Sequence, residues 1–164
     1  MAMKTPGSAG EAMGSKGARR QLKEIMSGTV QTVRPDAGIV QAAAKMKEQD
    51  VGAIPVCDGD RLVGMVTDRD ITVRIVAERR DPATAKVQDA MTPDLVYCFE
   101  DQDMEEAARL MREKQIRRVP VVSRDKRLVG IVSLGDVATE TPDPSMPGQA
   151  LKGISQPGGQ HTQS

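Results

Sequence analysis

Two hydroxyl–carboxylate pairs, Thr67 with Asp70 and Ser133 with Asp136, are the residues of this chain best placed to do chemistry. Each lies in the same kind of string: Gly64-Met65-Val66-Thr67-Asp68-Arg69-Asp70-Ile71 and, 66 residues further on, Gly130-Ile131-Val132-Ser133-Leu134-Gly135-Asp136-Val137. A hydroxyl and a carboxylate three residues apart at the start of a helix have two uses. They can cap the helix by satisfying its first N–H groups. They can also face a ligand where the helix N-terminus favours anions. The residues alone leave both open. Charge near the two motifs differs. Arg69 lies inside the first, where the second has Gly135. Arg117 and Arg118 precede Val119-Pro120, where the first half has Gly52 and Ala53 before Ile54-Pro55. The two sites are therefore expected to be inequivalent.

The elements that must position these pairs come from a repeat. With an offset of 65, Met26 matches Met91, Ala42-Ala43 match Ala107-Ala108, Met46 matches Met111 and Pro55-Val56 match Pro120-Val121. After a one-residue insertion in a turn, Arg61-Leu62-Val63-Gly64 matches Arg127-Leu128-Val129-Gly130. So many matches in one register mark a duplication. The first unit opens with an amphipathic segment, 21–26, and an alternating stretch, 29–33, that reads as a strand. A helix over 37–49 follows, with Asp36 as its expected N-cap and Ile39, Ala42, Ala43 and Met46 at helical spacing. Strands at 52–57 and 61–67 flank the turn signal Asp58-Gly59-Asp60. A largely apolar helix over 68–77 closes the unit. The second unit repeats the course, with a strand over 95–98, a helix over 104–114, strands over 117–122 and 128–133, and a short helix over 134–138. Each unit is thus β-α-β-β-α, and the fold class is α/β (α+β), with small mixed sheets and helices. A unit that small cannot bury its own faces, so two must share a core. The expected division is a disordered tail over 1–18, repeats over 19–80 and 81–138, and a second disordered tail, rich in Pro and Gly, over 139–164.

Composition excludes several classes of function. Net charge is zero and the only aromatics are Tyr97 and Phe99, which argues against nucleic-acid binding, base stacking included. No apolar run reaches the roughly 18 residues of a membrane span, and the N-terminus lacks the apolar core of a secretory signal, so a cytoplasmic location is expected. The one histidine, His161, lies far from any nucleophile, and no P-loop or dinucleotide fingerprint is present, so catalysis is not expected. The cysteines, Cys57 and Cys98, have no zinc-site spacing and fall at different points of the repeat. Two buried thiols are the simplest reading, and a metal or thiol sensor a lesser one.

The motifs also carry a resemblance. Ile54-Pro55-Val56 with the 64–71 string, and Val119-Pro120-Val121 with the 130–137 string, resemble the signatures of CBS domains. The region from 22 to 138 is similar to a tandem CBS pair, or Bateman module, of the small stand-alone bacterial kind that includes hypoxic-response proteins. The resemblance implies a pseudo-twofold pair whose clefts bind an adenosine-containing ligand such as AMP, ADP or ATP, with no cofactor required. In that arrangement Asp70 and Asp136 would accept hydrogen bonds from the ribose hydroxyls, and Thr67 and Ser133 would donate to phosphate. Ile54-Pro55 and Val119-Pro120 would pack on the adenine, while Arg69, Arg117 and Arg118 would reach phosphate.

The implied function is a non-catalytic regulatory or sensor protein in signal transduction. The alternative is a ligand-independent dimerisation or protein-interaction module. Apolar surface on the helices over 37–49 and 71–76 favours a homodimer under either, and leaves room for an unidentified protein partner.

Overall fold

Apolar residues at turn-of-helix spacing and β-formers around tight turns generate the same elements twice. The computed structural model describes residues 19–157; the expected tail over 1–18 and the final residues, His161 among them, lie outside that range. In the first half, α1 (Leu22–Ile25) leads to α2 (Ile39–Gln49), which buries Ile39, Ala42 and Met46. β1 (Ala53–Asp58) and β2 (Arg61–Thr67) form an antiparallel hairpin. α3 (Asp68–Ile71) then continues into a π-helical turn over Thr72–Val76. The second half has a 3-10 turn over Val87–Asp89, β3 (Cys98–Phe99) and α4 (Met104–Lys114), then β4 (Arg118–Val122), β5 (Leu128–Ser133) and α5 (Leu134–Glu140).

The two hairpins share one register. Ile54 pairs with Val66 as Val119 pairs with Val132, and both ladders slip at the same place, after Val56 and after Val121. β3 adds to β4 in parallel, so that sheet is mixed. α2 and α4 both end in a left-handed residue, Asp50 at φ 54° and Gln115 at φ 55°.

Four local expectations need correction. The strand over 29–33 shrinks to a single parallel bridge between Val33 and Val56. The strand over 95–98 shortens to Cys98–Phe99, the two residues that pair with β4. The position before α2 belongs to Gly38, while the Asp36 carboxylate accepts from Arg34 Nε at 3.0 Å. The C-terminal stretch is not all tail: α6 (Ser145–Ile154) packs on α4 and α5 and buries Ala150 and Ile154. Met146, Ala150 and Ile154 recur every fourth residue and give it an apolar face that the surrounding Pro and Gly obscure.

The halves are joined by exchange. Ser27, after α1, pairs antiparallel with Ile131 of β5, while Thr92 pairs with Met65 of β2. Gln21 bridges Asp103 as Lys86 bridges Gly38, and Arg61 pairs with its own counterpart, Arg127. Every pair maps onto its mate when the halves are interchanged, which is a pseudo-twofold relation with Arg61 and Arg127 at its axis. Each lead-in segment therefore completes the other half's core. Leu22, Ile25 and Met26 join α4, β4 and β5, and Ala85, Val87, Ala90 and Met91 join α2, β1 and β2. A third cluster, Cys57, Leu62 and Val122 with Tyr97, Phe99 and Leu128, draws on both halves.

This exchange explains the glycine that opens each motif. A Cβ on Gly64 would stand 2.8 Å from the Thr92 carbonyl oxygen, and one on Gly130 would stand 2.9 Å from that of Ser27 and collide with Met26. Only glycine lets the lead-in segment lie against the hairpin.

Cys57 and Cys98 are free thiols, each 2 % exposed, in different apolar clusters. Burial, with Asp60 adding to it, pushes the Cys57 thiol up to about 11. Burial, with Glu106 adding to it, pushes Cys98 up to about 12. Among the described residues no three His, Cys, Asp or Glu side chains gather as a metal site, and no helix is long and apolar enough to cross a membrane.

Two outcomes are expected. Gly64→Ala should destabilise the fold by about 1–3 kcal/mol through overpacking, whereas Gly28→Ala, whose Cβ meets nothing within 4 Å, should change thermal unfolding little. Iodoacetamide at pH 8 should alkylate both cysteines roughly a hundredfold more slowly in the folded chain than in urea, because the reactive thiolate is suppressed.

Candidate functional site

Both motifs place their pair where a strand runs into a helix. Thr67 closes β2; its Oγ accepts from the Asp70 N–H at 3.0 Å, and its own N–H donates to Asp70 Oδ2 at 3.0 Å. Ser133 and Asp136 repeat this at 3.1 and 2.7 Å. Each pair is thus a reciprocal cap that satisfies two backbone donors. Capping leaves capacity over. The Asp70 carboxylate bonds through Oδ2 and keeps Oδ1 as an acceptor, and a threonine hydroxyl that accepts through a lone pair still has its proton to donate. Thr67 and Asp70 are both buried, at 4 % and 8 % exposure, whereas Ser133 and Asp136 are half-buried.

The first pair faces a cavity of about 370 Å³ between the halves. Ala53, Met65, Thr67 and Asp70 come from the first hairpin and its helix, and Thr92, Asp94 and Val96 from the exchanged segment. The opposite wall runs from the C-terminus of α4 into β4: Glu113, Lys114, Gln115 and Ile116, then Arg118 and Pro120. Met65, Val96, Ile116 and Pro120 give the cavity its apolar lining; Lys114 and Arg118 supply positive charge, and Asp70, Asp94 and Glu113 negative charge. The Arg74 guanidinium steadies the site from behind by donating to the carbonyls of Ala90 at 2.7 Å and Met91 at 2.9 Å. That bond ties the turn after Asp70 to the segment that forms one wall.

The second pair has different surroundings. Ser133, with Arg117 and Arg118, borders an open depression whose far side is Pro147, Gly148 and Leu151 of α6. Asp136 holds the Ser133 N–H and does not line it. Arg118, paired with Ser133 across the β4–β5 ladder, borders both spaces.

Of the residues singled out in the sequence, the structure gathers Thr67, Asp70, Arg118 and Pro120 around one cavity. Arg117 and Ser133 lie at the other depression, and Arg69 stands exposed on α3, outside both. Ile54 and Val119, expected against a base, have their side chains enclosed in the two cores at 1 % and 0 % exposure. Both neighbouring prolines are buried as well; Pro120 lines the cavity, and Pro55 lines neither space. The segment Thr92–Val96 and the end of α4 escaped the sequence reading, because nothing local marks them. Only the exchange brings them to Thr67 and Asp70.

The model of the CBS domain matches residues 22–77 and 87–142. The CBS domain-containing protein YhcV of Bacillus subtilis is 43% identical over 134 residues, covering 82% of this chain and 94% of that protein. Hypoxic response protein 1 of Mycobacterium tuberculosis is 39% identical over 136 residues, with the same coverage of 82% and 94%. Among solved structures, Hypoxic Response Protein I with two coordinated zinc ions superposes with a TM-score of 0.69 at 40% identity, over 75% of this chain and all of that one. CBSX2 in complex with AMP superposes with a TM-score of 0.64 at 29% identity, over 73% and 93%. Duplicated motif, matched hairpin register and sequence kinship converge: the chain belongs to the CBS domain family and carries two of its domains as a tandem pair.

Proposed function

We propose that this protein is a non-catalytic regulatory module that binds an adenosine-containing ligand in the cavity between its two halves. The observation that carries the proposal is the buried Asp70, capped through one carboxylate oxygen and lining, with Thr67, a cavity that has apolar lining and the cations Lys114 and Arg118 beside the carboxylates Asp94 and Glu113. A vicinal diol is a double donor that suits the remaining oxygen. The Thr67 hydroxyl and the α3 N-terminus suit a phosphate, which Arg118 and Lys114 would neutralise. The flat base would lie along Met65, Val96, Ile116 and Pro120. The AMP complex of CBSX2 supports this choice of ligand class. The Ser133–Asp136 site, open on one side and with its carboxylate turned from the depression, is the weaker of the two. Binding would shift the packing of the halves, or of two copies, and so report ligand level. We place the protein in the cytoplasm, as a homodimer, without a nucleic-acid or membrane role.

A second reading, an interaction module that needs no ligand, is favoured by the exposed Val40, Val73 and Val76 on α2 and the π-helical turn. The two readings separate cleanly. Under the first, millimolar AMP should raise the melting temperature of the full chain. Asp70→Asn keeps a carbonyl for the Thr67 N–H but turns a donor toward the ribose. It should leave the ligand-free melt almost unchanged and weaken AMP at least about tenfold, roughly 1.4 kcal/mol. Arg118→Ala should weaken AMP similarly, and Asp136→Asn much less. No melting shift with AMP, ADP or ATP, together with a dimer lost on Val73→Asp, would favour the interaction module.

A further inference from the structure

The helix α6 lies beyond the residues matched to the two CBS domains, yet it is tied to the wall of the cavity. The tie is Gln115. Its amide Nε2 donates to the backbone carbonyls of Gly153 at 3.2 Å and Gln156 at 3.0 Å, at the C-terminal end of α6. The same residue lines the cavity that holds Thr67 and Asp70. It also ends α4 with φ at 55°, in the left-handed region. Ala150 and Ile154, at 2 % and 8 % exposure, dock α6 into the second core beside it.

The inventory of this amide decides what it can offer a ligand. Both Nε2 protons are committed to α6, so Oε1 remains as an acceptor. Gln115 immediately precedes Ile116 on the apolar wall assigned above to the base, and it is that wall's uncharged amide. The geometry points to Gln115 as a specificity residue that accepts a hydrogen bond from the ligand base's exocyclic amino group and thereby couples occupancy of the cavity to docking of α6. The inference rests on the nucleotide reading of the cavity and deepens it. A base with an amino group there favours the amide orientation that α6 also requires, so each strengthens the other. A base with a carbonyl at that position opposes Oε1, and the amide can satisfy it only by rotating away from α6.

Two measurements on the full chain test this, with AMP and inosine 5′-monophosphate as probes. In wild type, saturating AMP should slow amide hydrogen exchange across α6 at least about fivefold, and AMP should bind at least about fivefold more tightly than inosine monophosphate. In Gln115→Asn both effects should collapse; asparagine tolerates the left-handed backbone but is one methylene too short to reach α6. By reciprocity, Ile154→Ala, which loosens α6 without touching the cavity, should weaken AMP by a similar factor. AMP that saturates wild type while α6 exchange stays unchanged would overturn the coupling and leave the nucleotide reading intact. Retention of both effects in Gln115→Asn would overturn the role of Gln115. Failure of AMP to bind wild type at all would overturn the nucleotide reading, and the coupling with it.

Discussion

Four backbone hydrogen bonds hold this structure in register. Ser27 and Ile131 exchange N–H and C=O at 3.0 and 3.1 Å, and Met65 and Thr92 do so at 2.8 and 3.2 Å. They lay each half's lead-in segment on the other half's hairpin, and much else depends on them. They require a glycine at Gly64 and Gly130, bring Thr92 and Asp94 to the cavity, and seal each core with residues from across the pair. Leu22 and Val87, both fully buried, are each completing the other half's core. Burial of such a side chain contributes about 1.5–3 kcal/mol. Neither half encloses its own core, so the cavity between them is a product of folding rather than of later association.

The exchange also separates what was legible in the sequence from what was not. The repeat, the hairpins, α4 and the hydroxyl–carboxylate motifs all announce themselves locally, through period, turn residues and spacing. Gly64 and Gly130 were visible as matching positions of the duplication, but their reason was not, because it lies in a carbonyl 28 residues away for Gly64. Residues 29–33 alternate like a strand yet pair only through Val33, since the hairpin offers them a single parallel contact. α6 was hidden by its prolines and glycines, although Met146, Ala150 and Ile154 mark its buried face. At the site, Thr67 and Asp70 were legible because capping and ligand contact call for the same residue types. Of their opposite wall, Arg118 and Pro120 were legible beside the second motif, but residues 113–116 were not, because they read as nothing more than the end of a helix.

Duplication has given way to division of labour. Ala43 is exposed while its counterpart Ala108 is buried, and exposed Val40 corresponds to the charged Glu105. The second half's outer face is covered by its own α6, and among the described residues no counterpart covers the first half's equivalent face. The cavity shows the same asymmetry: Arg118 faces Thr67 and Asp70 from across the pair, and its counterpart, Ala53, brings no charge to the other side. One half thus supplies the cap and the buried carboxylate, while the other supplies the cations and the link to α6. A pair built by repetition in this way has one buried hydroxyl–carboxylate pair on a cavity and one half-buried pair, whose Ser133 borders an open depression.

The most direct test of this account is an NMR titration of isotopically labelled protein with AMP, followed residue by residue. The account predicts saturable shifts at Thr67–Asp70 and at Gln115–Arg118 in one transition, although these segments lie more than forty residues apart in sequence. Ser133 and Asp136 should follow only at higher ligand concentration. Shifts centred on Ser133 and Asp136 with Thr67 and Asp70 unmoved, or none at all at saturating millimolar AMP, would contradict it.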